Sequence, residues 1–350
     1  MRFDFTDDQR MFRDNLRGFL EKECTPEHVR RLWETETGRS AELWAKLAEM
    51  GILGMLVSEA HGGLGMNEVD LVLLLEETGR VALPEPIVET AAVAAPLLAG
   101  IGGALAATWL PKIAEGESIV TIGHRLSPVV ADAHVADLLI VERDGDVHAV
   151  EREQVTLEPQ PCSDASRRLF TVEFTPTDAT RAASGDDAKA LMDAAVDRGA
   201  LAVAAQQVGM AHRMVEIAVE YAKQREQFGK PIGSFQAIKH MLATVQVKTE
   251  FARPLVYRAS HSVARDAASR SSDVSQANAA ASDAANLAAK TALQVHGAIG
   301  YTWEVDLHLW MKRAWALEAA WGSRRWHRRR VAEAVLDSDT APSFGFRARV

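Results

Sequence analysis

The stretch GYTWEVDLHLWMKRAWALEAAWGS, residues Gly300 to Ser323, carries the decisive pattern of this chain. Leu307, Trp310, Ala314, Leu317 and Trp321 recur at the spacing of one helical face. Five of the eight tryptophans fall between Trp303 and Trp326, so that face is bulky and aromatic. Gly322 reads as a helix stop and Ser323 as the N-cap of a further helix. The pattern predicts a helix buried in an all-α bundle, with Trp321 at its end.

The segments before it supply the rest of that bundle. Leu201, Val208, Val215 and Ala222 lie seven apart and predict a long helix from about Ala188 to Gln224. Phe235, Ile238, Leu242, Val245, Ala252, Val256 and Val263 mark a second. Pro254 inside it predicts a kink or a lost hydrogen bond, a cost of about 3 kcal/mol in an unadapted helix. Asp273 suits the cap of a third helix, rich in alanine and running to His296, whose small side chains let neighbours approach closely. Together these give a four-helix C-terminal bundle, or five helices if the last segment is counted.

Towards the N-terminus the texture is also helical. Thr6 to Glu23 places Phe12, Leu16, Phe19 and Leu20 on one face, Ser40 to Met50 repeats the pattern, and Asn67 opens a helix through Leu71, Leu75 and Thr78. At Gly116 it changes. Ser118 to Ile122, Leu138 to Arg143, Asp146 to Val150, Val155 to Glu158 and Leu169 to Phe174 read as strands, with Asp144-Gly145 as a hairpin turn. The expected fold is mainly α with a small, short middle β-domain. Domains of 1–115, 116–183 and 184–350 are expected, with Pro176 to Asp187 as a linker across the second boundary.

With 350 residues and 47% hydrophobic content the chain can bury a substantial core. A net charge of -9 argues against nucleic-acid binding. The basic run Arg324 to Arg330 reads as a solvated or interfacial helix face. Cys24 and Cys162 stand far apart, without the spacing of a disulfide framework or a metal site. The first residues do not resemble a signal peptide, and no apolar run is long enough to span a bilayer. A soluble cytoplasmic protein without a membrane partner is expected.

Two segments carry a more specific pattern. Arg225-Glu-Gln-Phe228-Gly229-Lys230-Pro-Ile-Gly-Ser-Phe235-Gln236 resembles the R-x-x-F-G-x-x-[IL]-x-x-[FH]-Q signature of acyl-CoA dehydrogenases. Gln294-Val-His-Gly297-Ala-Ile-Gly300-Tyr301-Thr-Trp-Glu304 is similar to the same family's Q-x-x-G-G-x-G-[FY]-x-x-E segment. The resemblance implies the order helical domain, β-domain, helical bundle, and a flavin held between subunits. It further implies that Arg225, Gln227, Phe228, Gln294 and Gly297 reach across to FAD bound chiefly by a neighbouring subunit. That is sensible chemistry: an arginine neutralises pyrophosphate, a phenylalanine packs on the adenine side, and a glycine lets backbone amides come close.

The family's reaction needs a carboxylate to take the α-proton while hydride leaves for the flavin. Carrying the motif forward from Glu304 places the usual catalytic glutamate at Trp321, and indole cannot accept a proton. The alternative family position, counted back from Arg225, falls on Gly199 and Ala200. The family's flavin loop and its Trp-x-Thr/Ser strand also lack a counterpart, the region reading Thr121-Ile-Gly-His-Arg-Leu-Ser-Pro128. These absences together resemble the base-less subunit of actinobacterial α2β2 acyl-CoA dehydrogenases. There a base-bearing partner holds the thioester and flavin loop, the substrates include steroid-side-chain CoA thioesters, and an electron-transfer flavoprotein is the expected acceptor. Two rival readings stand beside it: a homomeric enzyme using Glu318 or Glu304 as base, and a scaffold that has lost flavin.

Overall fold

Thr6 begins the first helix through a reciprocal cap. Its hydroxyl accepts from the Gln9 amide and the Gln9 side chain accepts from the Thr6 amide. Helix α1 (Asp7–Glu23) then buries Leu16 and Leu20. Thr25 and Ser40 cap α2 (Pro26–Trp33) and α3 (Ala41–Glu49) by accepting from a backbone amide, and Asn67 caps α4 (Glu68–Arg80) through a reciprocal pair with Asp70. A stretch of π-helix, Val88–Ala94, leads into α5 (Ala95–Ile101), and α6 (Gly103–Ala114) closes the first helical layer. The computed structural model describes residues 4–336. Residues 1–3 and 337–350, the ends of the first and third expected domains, lie outside the described residues.

The middle region forms two small sheets. In one, β1 (Val120–Gly123) pairs in parallel with β3 (Leu138–Arg143), which pairs antiparallel with β4 (Asp146–Glu151), and β7 (Arg181–Ala183) adds to β4. The hairpin turn between β3 and β4 has positive φ at both Asp144 and Gly145, the backbone that Asp-Gly favours. In the other, β6 (Leu169–Glu173) lies between β2 (Val130–Ala131) and β5 (Thr156–Gln160). Part of the segment expected as a linker is therefore ordered as β7, because it pairs with β4 some thirty residues upstream, a non-local contact that composition does not show.

The C-terminal bundle is built on α7 (Gly185–Gln224), α8 (Gln236–Ala264) and α9 (Arg270–His296), completed by α10 (Leu307–Leu317) and α11 (Arg324–Leu336). Buried alanines face one another across α7 and α9, among them Ala204, Ala211, Ala281 and Ala288. Helix α4 touches α7 backbone to backbone. A Cβ on Gly79 would lie 2.1 Å from the Gln206 carbonyl oxygen, and one on Gly209 would lie 1.9 Å from that of Glu76.

One local expectation is sharpened and two are corrected. Helix α8 continues through Pro254, which sits on its exposed face, where the carbonyl that proline leaves unbonded is open to water. Helix α9 starts at Ser269 rather than Asp273. The Asp273 carboxylate lies one turn inside and accepts from the Ser262 and Ser269 hydroxyls and from Arg258. Helix α10 ends at Leu317, so Trp321 stands in the turn beyond it rather than on the helix. Gly322 there takes φ +99°, and the Ser323 hydroxyl accepts from the Trp326 amide, as a stop and a cap should.

Candidate functional site

Helix α7 ends where the Arg225 amide donates to the Tyr221 carbonyl, 2.8 Å away, and the chain turns out into a two-residue hairpin, β8 (Glu226–Gln227) with β9 (Lys230–Pro231). Helix α9 ends at Gly297, whose φ of +64° a side chain would resist. The Tyr221 ring stacks on His296 with centroids 4.3 Å apart, so both helix ends meet at one end of the bundle. That contact sets Arg225, Gln227 and Phe228 at the same end of the bundle as Gln294 and Gly297.

All five of these residues are exposed. The side chains of Arg225 and Gln294 have no hydrogen-bond or ion-pair partner among the described residues, while the Gln227 amide donates to the Glu226 carbonyl at 2.7 Å. Phe228 is 92% exposed and holds φ +55°, an outward-facing aromatic on left-handed backbone, which costs on the order of 1–3 kcal/mol. Among the described residues the one aromatic ring it meets is that of Phe235, edge-on at 6.1 Å. No atom lies within 4 Å of a Cβ placed on Gly297. Free guanidinium and amide donors, bare backbone and a presented ring fit the pyrophosphate and base of a dinucleotide that approaches from outside the chain.

The interior is arranged in the opposite sense. Trp321 is 2% exposed and lies so close over α7 that a Cβ on Gly199 would come within 2.1 Å of its indole. The His124 imidazole stacks on the indole at 4.4 Å, 14° from parallel. Burial pushes the His124 pKa down to about 4, so at neutral pH the ring is uncharged and stacks without a charge to solvate. Behind the indole, His327 Nε2–H donates to the Trp321 carbonyl at 3.1 Å while its Nδ1 accepts from the Ser275 hydroxyl. The Trp321 side chain thus packs directly on position 199, so the two positions singled out by motif spacing, 199 and 321, are in contact, and His124 holds the indole there. The sequence marks Trp321 and Gly199 separately; their contact needs the fold.

Glu318, the alternative base, accepts from Asn286 at 2.7 Å and pairs with Arg324 at 3.3 Å. Glu304 lies in an exposed turn. Sequence reasoning missed a third feature, a buried charged cluster that ties the three regions together. Arg39 pairs with Asp132, Arg313 pairs with Asp164, and the Glu85 carboxylate accepts from the Ser40 amide at 2.9 Å. Burial raises the pKa of Glu85 to about 7 and raises that of Glu89 as well. The space left among these groups and Gln206 is about 30 Å³, room for water only. The signal was two glutamates inside the apolar run Pro84-Glu-Pro-Ile-Val-Glu89.

The fold and the two-segment face define a helical, flavin-linked dehydrogenase architecture. Residues 6–117 match the acyl-CoA dehydrogenase N-terminal domain and residues 189–336 the acyl-CoA dehydrogenase C-terminal domain. The chain is 33% identical to acyl-CoA dehydrogenase IpdE2 of Mycolicibacterium smegmatis over 95% of its own length and 100% of that protein. To IpdE2 of Mycobacterium tuberculosis it is 31% identical, over 95% and 98%. A chain from the crystal structure of the ChsE4-ChsE5 complex of Mycobacterium tuberculosis superposes with a TM-score of 0.87 at 27% identity, covering 97% of this chain and all of that one. This chain belongs to the acyl-CoA dehydrogenase family, oxidoreductases acting on CH–CH bonds, whose members use FAD. Among the described residues no helix is long and apolar enough to cross a membrane.

Proposed function

We propose that this chain is the base-less subunit of a heteromeric acyl-CoA dehydrogenase, with the domains 1–115, 116–183 and 184–350. It works in the cytoplasm and completes the FAD site of a base-bearing partner in an α2β2 assembly. The observation that carries this reading is the Trp321 indole, packed directly on Gly199, so that the two positions singled out by motif spacing are in contact. FAD, when bound, supplies hydride acceptance. Arg225 and Gln294 would hold its pyrophosphate, Gln227 would add a further amide, Phe228 would lie against its adenine side, and Gly297 would admit backbone amides. The partner supplies the carboxylate and most of the acyl pocket, the substrate being an acyl-CoA thioester of the steroid-side-chain class. An electron-transfer flavoprotein then accepts the electrons. ChsE4 and ChsE5 of Mycobacterium tuberculosis form a complex with each other, which supports the heteromeric arrangement.

The test is co-expression with a base-bearing acyl-CoA dehydrogenase chain. The purified chain alone is expected to be colourless and inactive, and the complex yellow and active. Arg225→Ala should lower flavin retention by the complex about tenfold or more, since a charge-assisted hydrogen bond contributes about 1.5–3 kcal/mol. A lone chain with full flavin occupancy and turnover would overturn the proposal, and a stable colourless complex would favour the scaffold reading.

A further inference from the structure

Apart from Trp321 and the five flavin-facing residues, the chain carries a second built feature. A cavity of about 260 Å³ opens between the end of α9 and the outer face of α10. Its walls are apolar and aromatic: Leu293, Met311, Trp303 and Trp315. Two polar groups one turn apart on α10 enter it. His308 is only 9% exposed, and neither ring nitrogen has a hydrogen-bond partner among the described residues. An unpartnered buried imidazole costs about 1–3 kcal/mol, and something that hydrogen-bonds to it offsets that cost. Lys312 holds its ammonium 4.7 Å from the Trp303 ring centre and 5.3 Å from that of Trp33, with no carboxylate partner among the described residues.

We propose that this cavity is a binding site for a small ring-bearing carboxylate, its ring against Trp303, Trp315 and Met311 and its carboxylate accepting from Lys312 and His308. The size is at the low end for ligand sites and suits a body of one or two rings. A single lysine balances a single negative charge. A phosphate dianion would leave one charge uncompensated against the apolar and aromatic wall, which disfavours it. Burial, reinforced by Lys312 and Arg30, pushes the His308 pKa down to about 4, so at neutral pH the imidazole adds a donor but no charge.

The test is calorimetric titration of the full-length chain with 2-naphthoate and with its neutral isostere 2-naphthamide. The expected result is saturable one-to-one binding of the carboxylate, at least about tenfold tighter than that of the amide. Lys312→Met should erase that preference, Lys312→Arg should keep most of it, and Trp303→Ala should weaken both ligands. Flavin content of the co-expressed complex should be unchanged in Lys312→Met, which keeps this result separate from the flavin reading. Equal binding of the two ligands, no saturable binding, or a preference that survives Lys312→Met would overturn the proposal.

Discussion

At the scale of single residues, Gly199 has no room for a side chain. Even a methyl group there would drive into the Trp321 indole, so Gly199→Ala should destabilise the chain by about 1–3 kcal/mol. Trp321→Ala should cost about 3–5 kcal/mol through the cavity it leaves. The double variant should cost less than the two single losses combined, because each change makes room for the other. Urea denaturation of the four proteins measures that coupling, and strict additivity would contradict the packing described. The absence of a base at residues 199 and 321 was legible from motif spacing alone. That the indole packs directly on position 199 was not, since the contact joins residues more than a hundred apart. His124 was illegible for the same reason: a lone histidine after a short strand announces nothing until its stacking partner is known.

Among the secondary-structure elements, the crossing of α4 and α7 is the tightest contact. Gly79 and Gly209 meet the partner helix's backbone, which has no rotamer to give way. Gly79→Ala and Gly209→Ala should each lower the melting temperature by several degrees, while Gly18→Ala, with open space around its Cβ, should not lower it. Thermal melts of the three variants check this. The helices of the bundle were legible because each carries its own period, and the β3–β4 hairpin because Asp144-Gly145 encodes its turn locally. Strands β2 and β7 were not, being two and three residues long and specified by partners elsewhere in the chain. At Pro254 the interrupted hydrogen bonding was legible, whereas the run of α8 straight on to Ala264 depends on which face of the helix the proline occupies.

For the molecule as a whole, the buried charges set a pH response. The folded-state pKa of Glu85 lies near 7, above its ordinary value, so the folded chain holds that proton where the unfolded chain has released it. Its share of stability is therefore present below about pH 4.5 and is lost as pH rises towards 7. The low folded-state pKa values of His124, His308 and His327 act in the other direction, removing stability as pH falls from about 6.5 to 4. Glu85→Gln isolates the first effect. Its stability relative to the unaltered chain should rise between pH 5 and pH 8, and denaturant titrations at those two values measure the change. A difference that does not vary with pH would contradict the raised pKa.

The packing of Trp321 against Gly199 also bears on descent. A lineage that regained a glutamate at 199 would first have to fit it against an indole, and one that regained it at 321 would leave a carboxylate under His124 with the space beside Gly199 unfilled. Each first step back passes through a less stable chain than the one it starts from. The packing therefore behaves as a ratchet: it holds tryptophan and glycine at these two positions together, and a carboxylate at either is opposed by the partner already in place.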